Sequence, residues 1–266
     1  MKNLTYPIFL TLFILLFTSC EKEIEVDTRQ VAPKLFIEAN VVDQEGESGV
    51  QLRLTQPFNA TQPYTQVMDA SVEIVDESTG SIYQLIPDTL GIYRHPELLG
   101  EPGHLYHLRV MHQGVNYTAE ARMPYVVPLD SLSQEAPNPI FQNFSDANLA
   151  IVKPNFIDPA EFTNFYQLRL FRNDSLQDQI TAFNDTGFSG QPNIRRLFLE
   201  ANPGDIVQVE KLDIDRATHD YLLGLWLNTN QTSATPTNPV SNISGNALGL
   251  FKVAAVQRAQ ITIIPM

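Results

Sequence analysis

The chain has 266 residues, 43% of them hydrophobic, and a formal net charge of −13 at pH 7. Because nucleic acid and anionic lipid headgroups repel so acidic a surface, long-range attraction to either is excluded, and we expect no nucleic-acid partner. The apolar fraction is that of a globular protein, and this length accommodates one large β domain or two smaller ones.

The first 19 residues have the pattern of a bacterial export signal. A basic residue, Lys2, precedes an apolar run that ends at Phe17. This run of roughly ten residues is too short for a membrane-spanning helix, which needs ~20. The sequence Phe-Thr-Ser-Cys over residues 17–20 resembles the lipobox that the lipoprotein signal peptidase cleaves. We therefore predict a signal peptide over residues 1–19 and lipid attachment at Cys20, which would anchor the chain to a membrane.

Cys20 is the only cysteine of the chain, and two other interpretations of it stay open. It could be a buried structural thiol behind an ordinary signal peptide, or it could belong to an anchor helix that is never cleaved. In every case internal disulfides are excluded, so the fold must be stable through its core alone. Residues 20–32 are charged and lack hydrophobic periodicity, and we predict that they form the lipidated N terminus and a flexible tether.

From Pro33 onward the apolar residues recur at every second position, which is the period of a half-buried β-strand. The first such stretch places Leu35, Ile37, Ala39 and Val41 on one face. About seven short strands with turn-rich links follow one another, and no helical pattern lies between them. We therefore predict an immunoglobulin-like or transthyretin-like β-sandwich over residues 33–124.

The second half of the chain also has mainly strand patterns. Residues 125–149 are rich in proline and are predicted to be a linker. Residues 150–266 are predicted to form a second β domain that closes with two strands, at 250–256 and 259–264. One helix is expected at about 213–228, capped by Asp213 or Asp215. The predicted fold class is mainly β, with a sandwich followed by a second β-sandwich-like domain that carries one helix.

A search for catalytic and metal-binding patterns gives negative results. None of the five histidines stands in the HExxH frame of a zinc protease. His104 and His107 are three residues apart on a predicted strand, so their side chains lie on opposite faces and make a poor metal pair. Residues 187–190 resemble a serine nucleophile elbow but lack its final glycine. We expect no enzymatic activity, no metal site and no cofactor.

Several patches of the chain resemble a family of Bacteroidetes outer-membrane lipoproteins known as domain of unknown function forty-two forty-nine. The matching patches are Ser19 to Glu23, Pro33 to Glu38, Gly91 to Tyr93, Tyr106 to Leu108, Phe156 to Pro159, Asn164 to Tyr166, Ser241 to Ile243 and Gly249 to Phe251. The family usually has a glycine after the Asp-Pro turn, where this chain has Ala160. The resemblance implies an outer-membrane lipoprotein, often encoded beside a TonB-dependent transporter, with no established enzymatic activity.

The residues that follow Cys20 bear on which side of the outer membrane the protein faces. The sequence Glu-Lys-Glu-Ile-Glu over residues 21–25 resembles the acidic signal that sends lipoproteins of this lineage to the cell surface. The resemblance therefore implies a protein that faces the cell exterior. The alternative is that these charges only solvate the tether and that the protein faces the periplasm.

Three triplets of Asp, Ser or Thr, and Leu resemble the O-glycosylation acceptor of this bacterial group. Their candidate acceptors are Thr89, Ser131 and Ser175. We expect at least Ser131, in the predicted linker, to be glycosylated. The alternative is that the triplets are ordinary turns or strand ends.

Two classes of function are compatible with these features. The first is a non-catalytic binding or accessory module that associates with an outer-membrane TonB-dependent transporter. The second is a structural lipoprotein, or one linked to secretion and assembly, that has no part in ligand uptake.

Overall fold

The computed structural model describes residues 32–57, 60–136, 148–229 and 238–265. Cys20 and the predicted signal peptide lie outside these described residues, which form fifteen strands and one helix. The strands are β1 (Leu35–Val42), β2 (Gly49–Leu54), β3 (Ser71–Asp76), β4 (Ser81–Pro87), β5 (Ile92–Arg94), β6 (Leu105–His112), β7 (Val115–Arg122), β8 (Ser131–Glu135), β9 (Leu149–Asn155), β10 (Phe165–Arg172), β11 (Ser175–Leu176), β12 (Thr181–Asn184), β13 (Leu197–Glu200), β14 (Ile206–Ile214) and β15 (Leu248–Thr262). The helix, α1, spans Arg216–Thr229.

Twelve of the strands form one large sheet that runs through both halves of the chain. Its order is β11, β10, β14, β15, β1, β2, β5, β4, β3, β6, β7, with β12 beside β10. Neighbouring strands are antiparallel except β1 and β15, which are parallel. The remaining three strands form a second sheet in the order β13, β9, β8.

β15 joins the two halves of the large sheet. Its residues 248–254 pair with β1, and its residues 255–262 pair with β14. The sequence predicts two strands here because the polar pair Gln257 and Arg258 interrupts the apolar pattern. The structure has one strand of 15 residues, since Gln257 and Arg258 stay in register with Lys211 and Glu210 of β14.

The first core lies between the central strands β15, β1 and β2 of the large sheet and the strands β3 and β6 near one end of it. Ile37, Leu52 and Phe251, on one side, belong to the same buried cluster as Val72 and Leu108, on the other. Between these two groups lies the short strand β5, which shares only two register pairs with β2 and two with β4. The strand pattern of residues 33–124 thus folds into a sandwich, and β15 contributes to its core from the predicted second domain.

The second core lies between the small sheet and the strands β10 and β14. Val152 of β9 and Leu197 of β13 face Leu168 and Val209 across this cluster. The predicted linker, residues 125–149, contains β8, which pairs with β9. Within it, β8 forms a strand because Leu132 packs against the second core.

α1 covers the opposite surface of the large sheet. Asp215 caps the helix by accepting a hydrogen bond of 2.8 Å from the backbone N–H of Thr218, as the sequence predicts for one of the two candidate aspartates. Leu222 packs on a cluster that includes Leu212 and Ala254. The predicted fold class is confirmed: the protein is mainly β and carries one helix among its described residues.

Candidate functional site

The candidate site lies on the surface of the large sheet that faces away from both cores, which we call the outer face. Alternation along β1 turns Ile37 and Ala39 into the first core, so Phe36, Glu38 and Asn40 point to the outer face. Register places Arg53 of β2 opposite Phe36, and Lys252 of β15 opposite Asn40. α1 covers the part of this surface that Leu212 and Ala254 form.

An open groove of about 270 Å³ lies on the outer face where β1 begins and β2 ends. Its lining residues are Phe36, Arg53, Leu54, Thr55, Gln56 and Tyr64. The guanidinium of Arg53 lies 5.2 Å from the ring centre of Phe36 and 5.7 Å from that of Tyr64. The groove thus presents a cation between two aromatic rings, an arrangement suited to a ligand with both a flat apolar surface and a hydrogen-bond acceptor.

The ion pair between Arg53 and Glu38 does not prevent a ligand from binding in the groove. The side chain of Arg53 contacts Glu38 at 2.7 Å, but the side chain of Glu38 is 61% exposed. An exposed ion pair of this kind contributes only ~0–1 kcal/mol. Tyr64, which is 55% exposed, leaves most of its ring open to solvent. A ligand can therefore compete for Arg53 at little energetic loss.

A second cleft, also of about 270 Å³, lies beside the start of α1. Its lining includes Arg122, Tyr125, Asn164, Phe165, Asp215 and Arg216. Behind it the ammonium of Lys211, fully buried, contacts Asp213 at 2.7 Å. Burial lowers the pKa of Lys211 and raises that of Asp213 to about 6, because both charges have lost their hydration.

The Lys211 and Asp213 pair is engaged with the backbone and is not free for chemistry. The Lys211 ammonium donates to the carbonyl oxygen of Val127 at 2.8 Å, and Asp213 accepts from the N–H of the same residue at 3.3 Å. The rings of Phe156 and Tyr166 lie 5.1 Å and 4.7 Å from the ammonium. The pair therefore holds the chain where it crosses from the first sandwich to the second.

The structure places the three predicted glycosylation residues at separate, exposed turns or strand ends. Thr89 lies in the turn between β4 and β5, where Asp88 accepts from the backbone N–H of Ile92 at 3.0 Å. Ser131 is the first residue of β8, and Ser175 is the first residue of β11. Exposure makes all three accessible, and their modification stays a prediction.

The histidines do not form a joint site. His104 contacts Asp76 at 2.9 Å, whereas His107 lies 3.3 Å from Glu120 on the opposite side of the strand pair. In the part of the chain that the structure describes, no three His, Cys, Asp or Glu side chains converge in a way that could hold a metal ion. Likewise, none of the described helical residues forms a helix long and apolar enough to cross a bilayer.

Sequence reasoning missed the groove because its parts come from separate segments. Tyr64 lies outside the strands, and the bridge between Gln66 and Arg53, with its flanking backbone hydrogen bonds, brings it to β2. A signal was nevertheless present, since an aromatic residue, Phe36, stands at a position that alternation assigns to the solvent side. Lys211 and Lys252 were missed because each stands inside a strand pattern, where a lysine is ordinarily exposed.

Comparison with known proteins identifies the family to which this chain belongs. No curated protein matches it. Residues 21–260 match the family described as domain of unknown function (DUF4249), a span that includes all fifteen strands except the last two residues of β15. The chain belongs to the DUF4249 family.

Proposed function

We propose that this protein is an outer-membrane lipoprotein, anchored through Cys20 and facing the cell exterior, that serves a TonB-dependent transporter as a non-catalytic binding module. The groove of Phe36, Arg53 and Tyr64 is the observation that carries the binding role. It presents exposed aromatic surface and an accessible guanidinium on a rigid sheet, which is the composition of a ligand site. The lipobox-like residues 17–20 support the anchor.

Affinity purification of the lipidated protein from its native host tests the accessory role. We expect a transporter barrel to co-purify, because the module would deliver its ligand to that barrel. Co-purification of secretion or assembly components without a barrel would contradict the proposal and favour the structural alternative.

Variants of the groove separate ligand capture from complex formation. The double change Arg53→Ala and Tyr64→Ala removes the guanidinium and one aromatic ring of the groove. We expect it to lower transporter-dependent uptake of the ligand at least tenfold, while the transporter barrel still co-purifies with the protein. Arg109→Ala is a matched control, because Arg109 forms a similar exposed ion pair with Glu73, at 3.0 Å, on another strand pair. Equal uptake by the groove variant and this control would remove the groove from the proposal.

Glycosylation is expected at Ser131 in protein from the native host. Ser131 is exposed and follows Asp130, whereas Ser133, two residues later on β8, does not follow an aspartate. Intact-mass measurement should show glycan mass on the wild type that Ser131→Ala reduces and Ser133→Ala does not. A wild-type mass equal to that of the lipidated polypeptide alone would contradict this prediction.

A further inference from the structure

The groove of Phe36, Arg53 and Tyr64 has a cation and an anion beside its aromatic surface. Register places Arg53 of β2 opposite Phe36 of β1, and Glu38 follows two residues later on the same face of β1. The guanidinium lies 5.2 Å from the ring centre of Phe36 and 5.7 Å from that of Tyr64. It also donates to the Glu38 carboxylate at 2.7 Å. A ring, a hydrogen-bond donor and a hydrogen-bond acceptor therefore lie side by side at the surface.

The cation of the groove already has a counter-charge. Arg53 is the one charged residue among those that line the groove, and its guanidinium pairs with Glu38. Lys34, which precedes β1, donates its ammonium to Asn246, before β15, on the side of β1 away from β2. An anionic ligand would have to displace Glu38 from Arg53, on a protein whose net charge is −13. The groove therefore favours a ligand without net charge.

The backbone around the groove is already hydrogen-bonded. The N–H of Leu54 donates to the carbonyl oxygen of Thr65 at 2.9 Å, and the N–H of Thr55 donates to that of Lys34 at 2.9 Å. A peptide that adds to a sheet as a further strand needs free backbone groups at the edge of the sheet. The groove offers side chains instead, which argues against an extended peptide as its ligand.

The groove is open and small. Its volume of about 270 Å³ is just below the ~300–1,000 Å³ of ordinary ligand pockets, and the ring of Tyr64 is exposed. A wholly apolar ligand needs an enclosing pocket that removes most of its surface from water. A ligand with one apolar face and polar groups elsewhere can bind to an open groove, because its polar groups stay hydrated. The groove therefore suits one unit of an amphipathic ligand.

Two uncharged side chains of the groove add hydrogen-bonding groups. The Thr55 hydroxyl accepts from the backbone N–H of Lys34 at 2.9 Å, so its own proton can be donated to a ligand. The amide nitrogen of Gln56 donates to the carbonyl oxygen of Gln62 at 3.1 Å, so the amide oxygen is the acceptor that Gln56 can offer. Donors and acceptors are thus mixed along the groove, which matches hydroxyl groups, since each hydroxyl both donates and accepts.

We propose that the groove binds a neutral saccharide. The apolar face of one pyranose ring stacks on Tyr64, where the C–H groups of the sugar contact the aromatic surface. One hydroxyl group accepts from Arg53 and a neighbouring one donates to Glu38, so the ligand bridges the ion pair without breaking it. An acidic sugar would displace Glu38 from Arg53 and leave two like charges side by side. This inference rests on the proposed function, because it assigns a ligand class to the same groove.

Isothermal titration calorimetry of the full-length protein, in a detergent without a sugar headgroup, tests the ligand class. The probes are the neutral hexasaccharides cellohexaose, maltohexaose and mannohexaose, the acidic hexagalacturonate, and phenylacetate. We expect at least one neutral hexasaccharide to bind with a Kd below about 1 mM. Hexagalacturonate should bind at least tenfold more weakly than that probe, and phenylacetate should not bind.

Variants of the ring and of the ion pair complete the test. Tyr64→Ala should lower the affinity for the neutral probe at least tenfold, whereas Tyr64→Phe, which keeps the ring, should change it less than threefold. Glu38→Gln frees the guanidinium, so the preference for the neutral over the acidic hexasaccharide should fall at least tenfold. Glu73→Gln is the matched control, because Glu73 pairs with Arg109 at 3.0 Å on another strand pair, and it should change neither affinity. Thermal unfolding would verify that the variants are folded.

Three outcomes overturn the inference: none of the neutral hexasaccharides binds, hexagalacturonate or phenylacetate binds more tightly than all of them, or Tyr64→Ala binds them like the wild type. Tighter binding of an acidic probe that Arg53→Ala abolishes would overturn the ligand class and keep the groove as a binding site. These measurements need no transporter, so their outcome is independent of the co-purification result.

Discussion

Gly249→Ala is expected to destabilise the protein severely. Gly249 stands in β15 opposite Ile37, at a φ of +109°, and a Cβ atom there would lie 1.9 Å from the carbonyl oxygen of Ile37. The obstacle is backbone of β1, so no side chain can rotate away to make room. We expect the free energy of unfolding to fall by more than about 4 kcal/mol, a large part of the ~5–15 kcal/mol that a domain has.

The control for this variant is Gly114→Ala. Gly114 also has a positive φ, +78°, but no atom lies within 4 Å of the added Cβ. Its variant should lose only about 1 kcal/mol, because backbone strain is the whole effect. Urea unfolding followed by circular dichroism measures both. Similar losses of unfolding free energy in the two variants would show that the stability of the fold does not depend on the close approach of β15 to β1.

Lys211→Met should cause the second large loss, of about 3–5 kcal/mol in the free energy of unfolding. The variant leaves the Asp213 carboxylate, 3% exposed, without its partner and leaves the Val127 carbonyl without its donor. Adding Asp213→Asn should restore part of the stability, since the amide removes the buried charge and still accepts from the N–H of Val127. Equilibrium unfolding of the single and double variants measures this coupling.

The pH dependence of Lys211→Met provides an independent check. Asp213 already has a pKa raised from 3.8 to about 6, and loss of the Lys211 charge raises it further. A pKa that is higher in the folded state than in the unfolded state stabilises the folded protein at pH values below the unfolded-state pKa. This stabilisation is lost as the pH rises through the folded-state pKa. The deficit of the variant relative to wild type should therefore be small near pH 4 and should grow as the pH rises above about 6, the pKa of Asp213 in the folded wild type. A deficit that does not vary with pH would contradict a buried charge at Asp213.

The strands could be predicted from the sequence because burial acts locally on every second residue. Leu35 to Val41 and the cap at Asp215 are examples in which neighbouring residues contain the whole signal. The pairing of β1 with β15 could not be predicted this way. It depends on contacts between residues more than 200 positions apart, such as Ile37 and Gly249, and alternation does not specify a strand's partner.

The candidate site was less predictable than the fold. Whether a lysine inside a strand pattern is exposed, paired or isolated depends on which strands flank it, as Lys211 and Lys252 show in different ways. The groove likewise needs Tyr64 beside Arg53, a contact made by a segment without strand periodicity. The predicted role of Cys20, by contrast, depends only on its neighbours in the chain, and it stays a prediction because that segment lies outside the described residues.

The position of β15 has a consequence for the order of events during synthesis. It is the last strand to be made, yet it lies between β14 and β1 and supplies Phe251 and Val253 to the first core. The first core of a growing chain is therefore incomplete until residues 248–262 have left the ribosome. The pairing of β15 with β1 must also close the long loop between these two strands, which slows it further. For the export that we propose, this delay keeps the chain in the extended form that a narrow translocation channel admits.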